Sequence, residues 1–280
     1  MNENLITSTE ITLLLIDNLN KLRLDIRKYY KNDIESSILD TLIFKLCNSS
    51  YSFCCIYKSE NLTKQEHFKD IGTLYTISRS IIENFLTIEY LFFNKSSVQE
   101  KEFRLQLWIL SGILSRHKDH QNAPIEYREK LDKEIEEFEK LKKEFINLEY
   151  FQSLDSKVKK KIRKQLTLFG SSRFNFSWYT LIEKSNINKD LFNSHYNHAS
   201  NYAHSEFHSI AQIRELEFYN NKINYDAFTY PIIQMINVVC SKLFLMMFDY
   251  YSLNDKVELN DKYDINLIRF YSLVFSKPTQ

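Results

Sequence analysis

Four of the chain's seven histidines, His195, His198, His204 and His208, fall within one stretch, SHYNHASNYAHSEFHS at residues 194–209. Placed on a single α-helix at about 100° per residue, Asn197, Ser200, Asn201, His204 and His208 share an arc of roughly 100°. That face carries no lysine, and Glu206 lies off its edge. Imidazole, hydroxyl and amide groups donate and accept hydrogen bonds without a fixed charge, and histidine exchanges a proton near neutral pH. Such a face can bind polar groups or move protons. Phe192, Tyr196, Ala199, Ala203 and Phe207 flank it with aromatic and small side chains suited to packing on a second helix, so the helix is expected to be partly buried. The alternative is that these groups satisfy one another inside the fold, as buried polar groups must.

A second stretch, residues 70–93, supplies charge. At helical spacing Leu74, Ile77, Ile81, Phe85, Ile88 and Phe92 mark a core face, while Gly72, Tyr75, Arg79, Glu83, Leu86 and Tyr90 lie opposite. Arg79 and Glu83 are the only charges on that opposite side. An exposed i,i+4 pair contributes about 0.2–0.5 kcal/mol, and Glu before the cation is the better order. Arg preceding Glu among aromatic and aliphatic neighbours therefore indicates a partly buried pair, the alternative being an ordinary salt bridge at a helix–helix seam. A third stretch gathers Lys157, Lys159, Lys160, Lys161, Arg163 and Lys164, six cations in eight positions. Phosphate contact through residues such as Lys160 and Arg163 is the functional reading. The other is a solvated helix balancing Glu134, Glu136, Glu137 and Glu139.

The elements that must position these groups are helices. Of 280 residues 44% are hydrophobic, yet only three are Gly and three Pro, which starves turns and bulges and feeds helices. The fold class expected is all-α, a multi-helix bundle forming a single domain over residues 1–280. Periodicity predicts helices over 9–31, 33–58, 70–93 and 98–115, a charged helix opened by Pro124, a very apolar helix over 228–251 and a last one over 264–275. Residues 61–70 read as a loop, FGSSRFNFSW as a linker and 215–225 as a turn or short extended piece. The charged segment 124–169 reads as a projecting helical arm, one strand of a coiled-coil hairpin whose Leu141 and Phe145 need a partner. The run YPIIQMINVVCSKLFLMMFDYY is punctuated by Gln234, Asn237, Ser241, Lys242 and Asp249, and so fits a central bundle helix better than a membrane span.

Charge and cysteines bound the partners. With 37 basic and 36 acidic side chains the formal charge is +1, so no global field draws the chain to nucleic acid or membrane. The N-terminal residues lack a basic region ahead of an apolar run, which predicts no signal peptide and a cytoplasmic location. Cys47, Cys54, Cys55 and Cys240 contain no C-x2-C pair and read as buried thiols.

With RSIIE at residues 79–83, SWYTLIEK at 177–184 and YNHASNYAH at 196–204 placed, the chain resembles a loose group of all-α bacterial proteins of HEPN-like architecture. In these an R-x3-E helix is followed by a Trp and by a Y-x3-S-x3-H helix. The resemblance spans roughly residues 40–250, and it implies links to abortive infection and phage defence and a metal-independent ribonuclease activity. This chain departs from the standard R-x4-6-H signature: in RHKDH only three residues separate Arg116 from His120, and no arginine precedes His204 on its helix. Any active site is then composite.

The expected chemistry is RNA cleavage by 2′-hydroxyl attack, without a cofactor. His204 acts as general base or acid, Arg79 steadies charge on the phosphorane, and Glu83 orients Arg79 or His204. Tyr196, Asn197, Ser200, Asn201 and His208 hold the substrate or fix the histidine tautomer. RNA, a protein partner or antitoxin and a second copy of the chain are the expected partners. Two other readings stay open: a metal site shared by His204, His208 and Glu83, and a non-enzymatic helical sensor or adaptor that binds a nucleotide or a protein.

Overall fold

Little in this chain interrupts helical hydrogen bonding, and every regular element among the described residues is a helix. The computed structural model describes residues 8–29, 33–58, 70–117, 122–167, 178–185, 187–219, 222–253 and 262–274. The expected loop at 61–69, His120 and linker residues 169–177 lie outside these segments.

The chain forms two compact units, Met1–Phe93 with Trp178–Gln280, and Asn94–Ser177. In the first, α1 (Ser8–Tyr29), α2 (Ile34–Lys58) and α3 (Ile71–Ile88) pack in sequence. Asp70 caps α3 by accepting from the Thr73 N–H at 3.0 Å. The helix then widens into a π-helical turn, Glu89–Phe93. After the second unit the chain returns with α8 (Trp178–Lys184), α9 (Lys189–Ala203), α10 (Phe207–Tyr219), α11 (Lys222–Tyr250) and α12 (Ile265–Val274). The core lies where α1, α2, α3 and α11 meet, among Leu15, Leu19, Leu22, Ile43, Leu46, Phe53, Phe85, Ile236, Val239 and Leu243. The stretch Ala227–Tyr250 of α11 is apolar and long enough to cross a membrane, but 78% of an 18-residue window of it is buried inside this bundle.

Helix α3 is buried on more than its core face. Tyr75 and Leu86, expected opposite its core face, are as buried as Leu74 and Phe85, because α9 packs along that side while α2 and α11 cover the rest. Three thiols, Cys47, Cys54 and Cys240, are buried, whereas Cys55 is exposed, contrary to expectation, since it turns away from the face that its neighbour Cys54 buries.

Two further expectations fail. Residues 215–219 continue α10 and residues 222–225 already belong to α11, so the turn or short extended piece expected over 215–225 is helical there, residues 220–221 lying outside the described segments. The polar stretch 194–209 is two helices. At its break Ser205 adopts φ 52°, and the Glu206 N–H donates back to the Asn201 carbonyl at 2.9 Å, closing α9 with a left-handed residue and a long-span bond. Ser209 stitches the corner, its hydroxyl lying 3.1 Å from the Asn201 carbonyl and 2.7 Å from that of Glu206.

The second unit contains α4 (Val98–His117), α5 (Ile125–Ile146), α6 (Glu149–Ser153) and α7 (Ser156–Gln165). The partner that α5 lacks in the sequence reading is chiefly α4: Phe103, Leu107, Leu110, Ile113 and Leu114 meet Phe138 and Phe145, with Phe151, Ile162 and Leu166 completing the cluster.

Candidate functional site

Arg79 and Glu83 lie one turn apart on α3, and Tyr196, Ser200 and His204 follow each other at the same interval along α9 and its end. Helix geometry puts each set on one stripe, and the packing of α9 on α3 lays the stripes against each other. Every nitrogen of the Arg79 guanidinium is thereby engaged. Its Nε donates to Glu83 Oε1 at 2.9 Å and its Nη2 to the Tyr196 hydroxyl at 3.2 Å. Its Nη1 lies 3.3 Å from Ser200 Oγ and 3.4 Å from His204 Nε2. The Tyr196 hydroxyl in turn donates to the same Glu83 oxygen at 3.0 Å. Beneath the guanidinium the Tyr196 ring sits with its centroid 5.1 Å from Cζ, within cation–π range.

The cluster is anchored at one end and open at the other. Tyr196 is buried, the Arg79 and Glu83 side chains are 22% and 27% exposed, and His204 is exposed. Solvent therefore reaches the guanidinium on the Ser200–His204 side. Burial opposes the Arg79 charge, but the hydrogen bond it donates to Glu83, together with the Tyr196 and Glu83 side chains beside it, outweighs that and holds the group above its ordinary range. Burial and then Glu83 push the Tyr196 phenol up to about 12, which keeps it a proton donor. A guanidinium only donates, so its contact with His204 is satisfied when Nε2 is the unprotonated nitrogen and Nδ1 carries the proton. A fixed cation can hold an anion here while the imidazole lone pair beside it accepts a proton from a neighbouring group.

The other histidines do different work. His195, the residue before Tyr196, points into the α3–α9 seam, with Nε2 3.3 Å from Ser78 Oγ. Because the Ser78 hydroxyl already donates to the Tyr75 carbonyl at 2.8 Å, it must accept from His195. Burial, helped by His198, pushes the His195 imidazole down to about 4. His198 stands edge-on to Tyr75 and Tyr202, themselves stacked 4.4 Å apart with planes 7° from parallel, and burial lowers its pKa too. Both belong to the seam that sets the register of α9 on α3. Gly72 serves that seam as well, since a Cβ there would stand 3.3 Å from the Asp70 carboxylate and 3.8 Å from the Tyr202 ring.

The remaining expected site residues are dispersed. Asn197 is exposed and accepts at 2.7 Å from the Tyr179 hydroxyl. Asn201 contributes its carbonyl to the corner between α9 and α10. His208 is exposed on α10, against the ring of Phe207, because α9 ends before it. The i,i+4 relation of His204 and His208 that a shared metal would need is therefore lost, and no group of three His, Cys, Asp or Glu among the described residues is placed to hold a metal ion. Lys160 and Arg163 are exposed on α7 of the second unit, the latter with its guanidinium 5.7 Å above the Phe151 ring.

Sequence reasoning missed Tyr179. It is 50% exposed on α8, tied by its hydroxyl to Asn197, and its ring meets that of Tyr196 edge-on at 6.4 Å. The available signal was the aromatic pair Trp178–Tyr179 directly after the linker, where a solvent-facing ring can border a site on the next helix.

No curated protein and no solved structure matches this chain. A family model does, over residues 37–222, about two thirds of the chain, and this span holds Arg79, Glu83, Tyr196, Ser200 and His204. The chain belongs to DUF5677, a family of unknown function.

Proposed function

We propose that the Arg79–His204 cluster handles a phosphodiester, and that the protein is a ribonuclease acting through its own side chains. The observation that carries this reading is Arg79 Nη1 lying within 3.3–3.4 Å of both Ser200 Oγ and His204 Nε2 on the solvent side of a guanidinium fixed from behind by Glu83 and Tyr196. An RNA phosphate seated there would take hydrogen bonds from Arg79 and Ser200. His204 Nε2 would accept the proton of the adjacent 2′-hydroxyl as that oxygen bonds to phosphorus. The bond from phosphorus to the 5′-oxygen breaks, and the departing oxygen is protonated by the imidazolium or by water. The products are a 2′,3′-cyclic phosphate and a 5′-hydroxyl. Arg79 offsets the charge that develops on the phosphorane, and Glu83 with Tyr196 prevents the guanidinium from turning away. Expression of such an enzyme would arrest bacterial growth with loss of cellular RNA, in keeping with the defence role that the HEPN-like resemblance implies.

The experiment is RNA cleavage by purified protein with the end groups identified. Cyclic phosphate ends that disappear in both Arg79→Ala and His204→Ala support the reading; cleavage that survives the pair of substitutions overturns it. A second reading has its own observation: among the described residues, His204 is the one imidazole that touches the guanidinium. A site with one proton carrier also suits a helical sensor that binds a phosphorylated nucleotide without cutting it. Intact RNA together with Arg79-dependent nucleotide binding would favour that reading.

A further inference from the structure

Helix α7 carries its six cations unevenly. Asp155 caps it, accepting from the N–H groups of Lys157 and Val158 at 2.9 and 3.0 Å. Ile162 and the following Leu166 turn inward against Phe145 and Phe151, which fixes the rotation of the helix. At about 100° per residue, Lys157, Lys160, Lys161 and Lys164 then occupy the side away from the core, within an arc of roughly 100°. The two flanking cations are used within the unit: Lys159 donates to the Gln152 carbonyl, and Arg163 lies over the Phe151 ring. The four outward lysines form no ion pair among the described residues, although α5 in the same unit is rich in glutamate. Two of those glutamates are paired elsewhere, Glu134 with Arg116 at 3.2 Å and Glu139 with Lys142 at 3.2 Å.

We infer that this face of α7 is a binding surface for the phosphodiester backbone of a nucleic acid strand. Four lysines over a span of eight residues cover about 10 Å of helix, comparable to four phosphates at the roughly 3.4 Å repeat of one strand. An anionic membrane is the poorer fit, because a helix that lies on a bilayer needs an outward apolar face. Here Ile162 and Leu166 are buried, and Val158, 38% exposed, is the one large apolar side chain of α7 that reaches solvent. Lysine–phosphate contacts position a strand without reading its bases or its 2′-hydroxyl. The surface is therefore indifferent to sequence and to sugar. This inference stands whether the Arg79 cluster cuts RNA or only binds a phosphate.

The test uses the full chain carrying His204→Ala, which keeps the probe intact, and a fluorescently labelled single-stranded oligonucleotide in RNA and DNA forms. Each lysine–phosphate contact on a single strand contributes about −0.7 to the slope of log affinity against log salt. Replacing Lys157, Lys160, Lys161 and Lys164 by Gln should therefore flatten that slope by about 3. Put another way, the four lysines account for roughly a 50-fold loss of affinity between about 50 and 200 mM salt. Lys160→Gln with Lys161→Gln should flatten it by about half as much, and four Lys→Arg replacements should preserve it. RNA and DNA of one sequence should bind within tenfold of each other. A slope unchanged by the four Gln substitutions, a preference for RNA beyond tenfold, or binding of phosphatidylglycerol vesicles in place of either strand would overturn the inference.

Discussion

His195 makes the α3–α9 seam sensitive to acid. Its imidazole is 8% exposed and lies beside Tyr75 and His198, with Ser78 as its hydrogen-bond acceptor. In the unfolded chain a histidine of ordinary pKa 6.5 takes up a proton as the pH falls through that value, whereas the folded chain resists until about 4. Between those limits the unfolded state binds more protons, so stability must fall as the pH falls. At about 1.4 kcal/mol for each tenfold change, the difference amounts to on the order of 3 kcal/mol, fully present above pH 6.5 and gone near pH 4. That is a large share of the roughly 5–15 kcal/mol of a typical domain. Asp25 titrates in a separate window: burial opposes its charge, but hydrogen bonds from Lys262, Tyr263 and Lys28 hold it down at about 2. Urea unfolding followed by Trp178 fluorescence, in a Trp108→Phe background that silences the second unit, should show the loss over pH 6.5 to 4. His195→Gln keeps a donor for Ser78 and cannot ionise, so it should start lower from lost packing and change far less across the window. Parallel loss in the two proteins would refute the account.

Three further outcomes follow from the geometry. Ser205→Gly should stabilise the protein by roughly 0.5–1 kcal/mol in thermal unfolding, because φ 52° costs a residue with a Cβ; were the helix continuous here, the same change would destabilise it. Tyr196→Phe removes the hydroxyl shared by Arg79 and Glu83 but leaves the ring in place, so unfolding should shift by about 1 kcal/mol while RNA cleavage falls at least tenfold. Phe145→Ala should cost the α4–α7 unit about 3–5 kcal/mol, read as earlier proteolysis within residues 94–177.

The all-α class was legible in the near absence of Gly and Pro, and most helix boundaries in the hydrophobic period. The meeting of Arg79 and Glu83 with Tyr196, Ser200 and His204 was legible for a local reason: two i,i+4 stripes, each incongruous on a solvated surface, need only one packing event to touch. The end of α9 was not, because left-handed closure at Ser205 occurs without the Gly or Asn that normally announces it. His208 was misplaced with it. The burial of Tyr75 and Leu86 was hidden because a helix covered on two faces still shows an amphipathic-looking period when its second face is lined by aromatic and small residues. That α4 chiefly covers Phe138 and Phe145 depends on which helices pair in the fold, which periodicity does not encode.

The break at Ser205 also sets which changes of chain length the protein can absorb. Adding one residue between Tyr196 and His204 would rotate everything beyond it by about 100° and carry the imidazole off the guanidinium. Adding one after Glu206 would leave the rotational phase of α9 untouched and be taken up by the corner. Relatives should therefore keep the 196–200–204 spacing strictly while varying freely in length just beyond it.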